Sequence, residues 1–127
     1  MEIQYAIFCA NVEFPDEPQG AVVLTKPLSA ISLKGAKGGE MHMPLFTTFI
    51  NGVTGSGHNL DVKVTKNSGE ILSTRDFKFQ WRGTAPTQAE CFVVKLPCLH
   101  SSDLLTFALV LDGKEQCKMK IPIKITG

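Results

Sequence analysis

No stretch of this chain approaches the roughly 20 consecutive apolar residues that a membrane helix needs, so a spanning helix is not expected anywhere in it. The opening "MEIQYAIFCANVEF" carries Glu2 where an export signal would carry Lys or Arg, and Asn11 and Glu13 interrupt its apolar run. A cytoplasmic protein is the expectation. A dominant charge is lacking as well. Thirteen Lys and Arg against twelve Asp and Glu leave +1, which removes the long-range field that binders of nucleic acid or anionic lipid use. No CxxC pair occurs among Cys9, Cys91, Cys98 and Cys117, and a reducing compartment would keep them as thiols. Cys9 is in phase with Ile3, Tyr5 and Ile7, and Cys117 with Met119 and Ile121, so both read as small core hydrophobes. Neither a metal nor a cofactor is expected. Helical periodicity is also missing, since no window of eleven or more residues holds a 3.6-residue apolar stripe.

What is present is alternation. Eleven glycines and seven prolines punctuate short runs rich in Val, Ile, Phe and Thr, the signature of strands bounded by turns. With 43% hydrophobic and 20% charged residues in 127, the chain suits one domain spanning residues 1–127 with one core. The expected fold is all-β: a single antiparallel β-sandwich of seven to nine strands, with immunoglobulin-like or related topology.

Several local readings are specific enough to fail. Pro15, Asp16, Pro18 and Gly20 spell a loop after the first strand, and Pro27 separates "AVVLTK" from "LSAISLK". Met41 to Ile50 is apolar on both faces, which places it centrally in a sheet. In "LDVKVTKNSGEIL", a three-residue loop of Asn67, Ser68 and a left-handed Gly69 sets Lys66 opposite Glu70 and Val64 opposite Leu72. Phe77, Phe79 and Trp81 then fall on the other parity, which requires a bulge or a change of sheet near Thr74. A two-residue Asp112-Gly113 turn sets Leu109 against Gln116, mixing a buried face with a wet one, so an odd-length loop or a bulge is expected there. Lys118, Lys120 and Lys124 with Pro122 describe a protected edge strand.

The order of these features, from "YAIFCANVEF" through "FVVKLPCL" to "LLTFALVLDGKEQCKMKIPIKI", resembles a family of small bacterial proteins of unknown function. The resemblance implies a compact β-sandwich with a Leu-Pro-x-Leu joint, here Leu96, Pro97, Cys98 and Leu99, before a closing Asp-Gly hairpin. It implies no activity.

Candidate chemistry is sparse. "LHSSDLL" gathers His100, Ser101, Ser102 and Asp103, but adjacent residues rarely reach the geometry of a hydrolytic triad, and a solvated, capped turn is the expected reading. In "EMHMP", Met41 and Met43 share one face of a strand while His42 takes the other, so the three do not chelate together. His58 has no ligand at a useful spacing and reads as a loop residue. "GAKGGE", with Gly38 and Gly39, and "GVTGSGH" lack the Lys-Ser/Thr ending of a phosphate loop. Phe77, Phe79 and Trp81 read as core. The expected function is a non-catalytic protein-interaction or scaffold module whose partner is another protein or a second copy, a homodimer by strand-edge pairing being one form. The alternative is a small-ligand or carbohydrate-binding module using Trp81, Arg82 and the loops around Gly55 and Gly83.

Overall fold

Alternation this regular leaves the chain little choice but extended backbone. The computed structural model describes residues 1–16, 21–34, 41–97 and 99–126, with residues 33 and 34 as backbone only, and among them it holds nine strands and no helix. They are β1 (Glu2–Glu13), β2 (Val23–Pro27), β3 (Ile31–Lys34), β4 (Met41–Ile50), β5 (Gly57–Thr65), β6 (Ile71–Gln80), β7 (Thr87–Leu96), β8 (Asp103–Leu111) and β9 (Lys114–Thr126). One sheet has the order β2-β1-β4-β7 and the other β3-β9-β8-β5-β6. The architecture is therefore the expected all-β sandwich. Pro18, Gly20, the "GAKGGE" glycines and Cys98 of the Leu-Pro-x-Leu joint lie outside the described residues.

The core lies between the sheets. Phe8, Met43, Leu45, Phe49, Phe92 and Val94 come from the first, and Leu60, Val62, Val64, Phe79, Phe107 and Leu109 from the second. Fully burying such a side chain contributes about 1.5–3 kcal/mol, the main term set against chain entropy. Rings bridge the layers: Phe8 meets Phe107 at 4.7 Å between centroids, and Phe49 stacks on Phe79 at 4.7 Å.

β4 is central, between β1 and β7, as its two apolar faces require. Pro27 ends β2 in one sheet before β3 joins the other, so the proline marks a change of layer. The β5–β6 hairpin follows the expected turn: Lys66 N–H donates to Glu70 O at 2.8 Å, Gly69 N–H donates to Lys66 O at 2.9 Å, and Gly69 has φ +92°. Beyond the turn the register departs from expectation. Thr65 faces Ile71 but Val64 faces Ser73, not Leu72. Leu72 is the extra residue of a bulge, and this insertion moves Phe77 and Phe79 onto the core face. The parity problem is thus solved within one sheet, close to Thr74.

The β8–β9 hairpin keeps its two-residue turn, with Leu111 opposite Lys114, and corrects its phase one step later: Val110 faces Glu115 but Leu109 faces Cys117, which leaves Gln116 as the bulge. That bulged side chain is used. Its Oε1 accepts the Ile3 N–H at 2.7 Å, beside the irregularity between Ile3 and Tyr5 in β1, and so ties the two sheets together.

Two expectations need correction. β9 is not an edge throughout, because β3 pairs with it in parallel from Ile123 to Thr126, Lys124 included; only the part before it, with Lys118, Lys120 and Pro122, lacks that partner. This also makes the sheet mixed rather than wholly antiparallel. In β1, the irregularity after Ile3 reverses the phase, so Phe8 faces the core and Tyr5, Ile7 and Cys9 face outward. Cys9 is buried, but on the outer side of its sheet.

Candidate functional site

Trp81 and Arg82 stand just past β6. The indole is 2% exposed and belongs to the core. It lies so close over Gly52 that a Cβ built there would sit 2.0 Å from ring carbons, which explains why residue 52 has no side chain. Arg82 is exposed, and its guanidinium lies 2.6 Å from Glu90 Oε1. Gln88 organises this loop: its Oε1 accepts the Arg82 N–H at 2.6 Å, and its Nε2 donates to Gln80 O at 2.8 Å and Glu90 Oε1 at 2.9 Å. The ring offers no face to solvent.

The sharpest polar geometry lies close by, around His58, which the sequence suggested to be an unpartnered loop residue but which stands in β5 between two polar partners. Ser56 immediately precedes β5 and His58 is its second residue, so in extended backbone their side chains fall on one side. Pairing of Leu60 with Leu111 then brings the β8–β9 turn alongside. Ser56 Oγ lies 2.7 Å from His58 Nε2, and His58 Nδ1 lies 2.7 Å from Asp112 Oδ2. The other carboxylate oxygen, Oδ1, accepts the Asn59 N–H at 2.9 Å. An ionised carboxylate can only accept, so Nδ1 carries the hydrogen, and in the neutral ring Nε2 is left to accept from Ser56. The same hydroxyl has a second acceptor, Val53 O, at 2.6 Å.

Burial raises the Asp112 carboxyl, but hydrogen bonds from His58 and the Asn59 N–H, with the positive charges of His58 and the N-terminus, outweigh it and hold the group below its ordinary value. The backbone shares in the arrangement, with Asp112 at φ +50°, as a left-handed Asp-Gly turn requires. The His58 ring packs on Phe79 with 5.7 Å between centroids. In front of it is an open cleft of about 500 Å³ lined by His58, Asn59, Lys78, Phe79, Gln80 and Asp112, with Gly57. The individual residues were visible in the sequence, but their meeting depends on a pairing more than fifty residues apart.

A second feature is the contrast between the two outer faces. On the first sheet, Ile7, Phe46 and Cys91 form one row, Tyr5, Thr48 and Ala89 the next, and Pro44 and Val93 a third. None of these residues is charged. Tyr5 is 48% exposed and Val93 45%, and Phe14, itself 48% exposed, lies with its ring 6.3 Å from that of Phe46. On the second sheet the corresponding outward rows carry Asp61, Lys63, Asp76 and Lys118.

The other sequence candidates are taken up locally. Ser102 Oγ accepts the Ile125 N–H at 2.8 Å, and Asp103 Oδ1 accepts the N–H groups of Leu104 at 2.7 Å and Asn67 at 3.2 Å, so both serve the main chain. Met43 is buried in the core and His42 is exposed on the opposite face. Cys9, Cys91 and Cys117 are free thiols, each pushed up by burial, with the charge of Cys9 adding to the effect at Cys91. Among the described residues no group of three or more His, Cys, Asp or Glu could hold a metal ion, and no helix is long and apolar enough to cross a membrane.

No protein-family model matches this chain, and no curated protein matches it. Among solved structures it is similar to a protein from Bacteroides fragilis provisionally named a beta-galactosidase, at 17% identity and a TM-score of 0.46, over 67% of this chain and 14% of that one. A likeness at that level carries no argument about activity.

Proposed function

We propose that this protein is an interaction or scaffold module that docks another protein chain on the outer face of its β2-β1-β4-β7 sheet. The observation that carries this reading is that Tyr5, Phe14 and Val93 are exposed on an uncharged face, around a half-buried Ile7 and a buried Phe46, set against a charged face on the opposite sheet. Apolar side chains exposed together on one uncharged face favour it as an association surface. The rim is polar, with His42 opposite Lys95 in the next row, which matches the apolar centre and wet margin of protein interfaces. The pairings β4–β7, β5–β8 and β8–β9, with β3 parallel to β9, support an immunoglobulin-like reading of the topology, a scaffold suited to such docking. A cytoplasmic location remains part of this reading. The expectation of a ligand site at Trp81 and Arg82 gains no support from a buried ring and an Arg engaged by Glu90.

Site-specific photo-crosslinking tests the proposal. A photoreactive residue at Val93 should capture a discrete protein species in the native host, a partner or a second copy, while one at Lys63 on the opposite face should not. Equal labelling from both positions, or none from Val93, rejects it.

A further inference from the structure

We propose that Ser56, His58 and Asp112 form a nucleophilic site that transfers the acyl group of a small carboxylic ester to water. This goes beyond the docking reading and rests on different residues, so either can fail alone. It also departs from the expectation of a non-catalytic protein.

The geometry is that of an activated serine. A nucleophile needs a base within hydrogen-bond reach and a third group to orient that base. Both contacts are 2.7 Å, and the orienting carboxylate is itself fixed by the Asn59 N–H. Asp112 thereby holds the proton on Nδ1 and leaves Nε2 facing Oγ. His58 is held in turn by its packing on Phe79. The Ser56 hydroxyl shares its hydrogen between Val53 O and Nε2, and engaging the base needs rotation of O–H alone, with no movement of heavy atoms.

The chemistry balances without a co-reactant. As Ser56 Oγ bonds to the ester carbonyl carbon, its proton passes to His58 Nε2, and the imidazolium is stabilised by the Asp112 carboxylate. The carbon–oxygen bond to the alcohol breaks, and the leaving oxygen takes the proton from Nε2. Water then attacks the acyl-serine, giving one proton to Nε2 and the hydroxyl to the acyl carbon. Oγ recovers the proton from Nε2 as the free acid departs. The open cleft of about 500 Å³ is lined by His58 and Asp112 of this set and by Gly57, the residue next to Ser56, and it is the space from which a small ester and water would approach.

The test uses the whole chain with a fluorophosphonate probe and p-nitrophenyl acetate. The proposal expects phosphonylation mapped by mass spectrometry to Ser56, and turnover of the ester above that of a mock preparation. His58→Ala should lower kcat/KM by at least about 100-fold, the usual share of a general base. Ser56→Ala should abolish both turnover and labelling, with folding checked by circular dichroism. Should that variant misfold, the site of labelling in the unaltered protein decides the matter. An unlabelled protein, a label on Ser101 or Ser102 instead, or turnover that survives in folded Ser56→Ala overturns the proposal.

Discussion

Asp112 shows how one side chain can serve a turn, a strand and a ring together. Its left-handed backbone closes the β8–β9 hairpin, one carboxylate oxygen caps the Asn59 N–H, and the other holds His58. Because its folded pKa is depressed, the carboxylate contributes stability above the pKa it has in the unfolded chain, and that contribution is lost as pH falls through the folded value. Acid titration of denaturant midpoints should therefore show a steeper loss below the ordinary carboxylate range in the native chain than in Asp112→Asn. Identical acid limbs would mean that the His58 contact is not maintained in solution. Turn residues were the most legible part of the sequence at this scale. Gly69 had to be left-handed because a three-residue loop and opposed Lys66 and Glu70 left no other solution. The Ser56–His58–Asp112 contact was hidden because nothing local requires it: Ser56 sits just before the strand of His58, and the third member arrives through long-range pairing.

Bulges decide which side of each strand is wet. The odd parity of Phe77 and Phe79 after the even run Leu60, Val62 and Val64 demanded an insertion, and Leu72 supplies it. The same reasoning anticipated the irregularity that Gln116 fills in β9. It failed in β1, where an alternating run of Ile3, Tyr5, Ile7 and Cys9 suggested one face; the shift after Ile3 instead puts Phe8 in the core. There the apolar residues sit on both sides, so alternation carries no phase. It failed again for β9, because a parallel partner such as β3 leaves no local trace in a Lys-rich strand. The element that should matter most for stability is β8, which lies between β9 and β5 and presents Leu105, Phe107, Leu109 and Leu111 to the core. Phe107→Ala removes the ring that meets Phe8 from the other sheet and should cost about 3–5 kcal/mol in denaturant unfolding. Lys63→Ala, on the wet side of the neighbouring strand, should stay within about 0.5 kcal/mol. Equal effects would mean that the two faces of this sheet are wrongly assigned.

The whole molecule is asymmetric. Both sheets bury one face against the other, but the second turns Asp61, Lys63, Asp76 and Lys118 to water while the first turns out Tyr5, Phe14 and Val93. Fold class was legible from alternation and punctuation alone. Strand order was not, since it depends on which distant runs pair, and the identity of the outer face could not be read until that order was known. Sedimentation velocity and co-purification from the native host test the proposed docking face most directly, comparing the unaltered chain with a Tyr5→Asp, Val93→Asp double variant whose circular dichroism and unfolding midpoint match it. The account predicts that the unaltered chain sediments as an assembly or with a bound protein, and that the double variant sediments as a free monomer. An association that survives both substitutions, or an unaltered chain that is monomeric and unaccompanied, would contradict it.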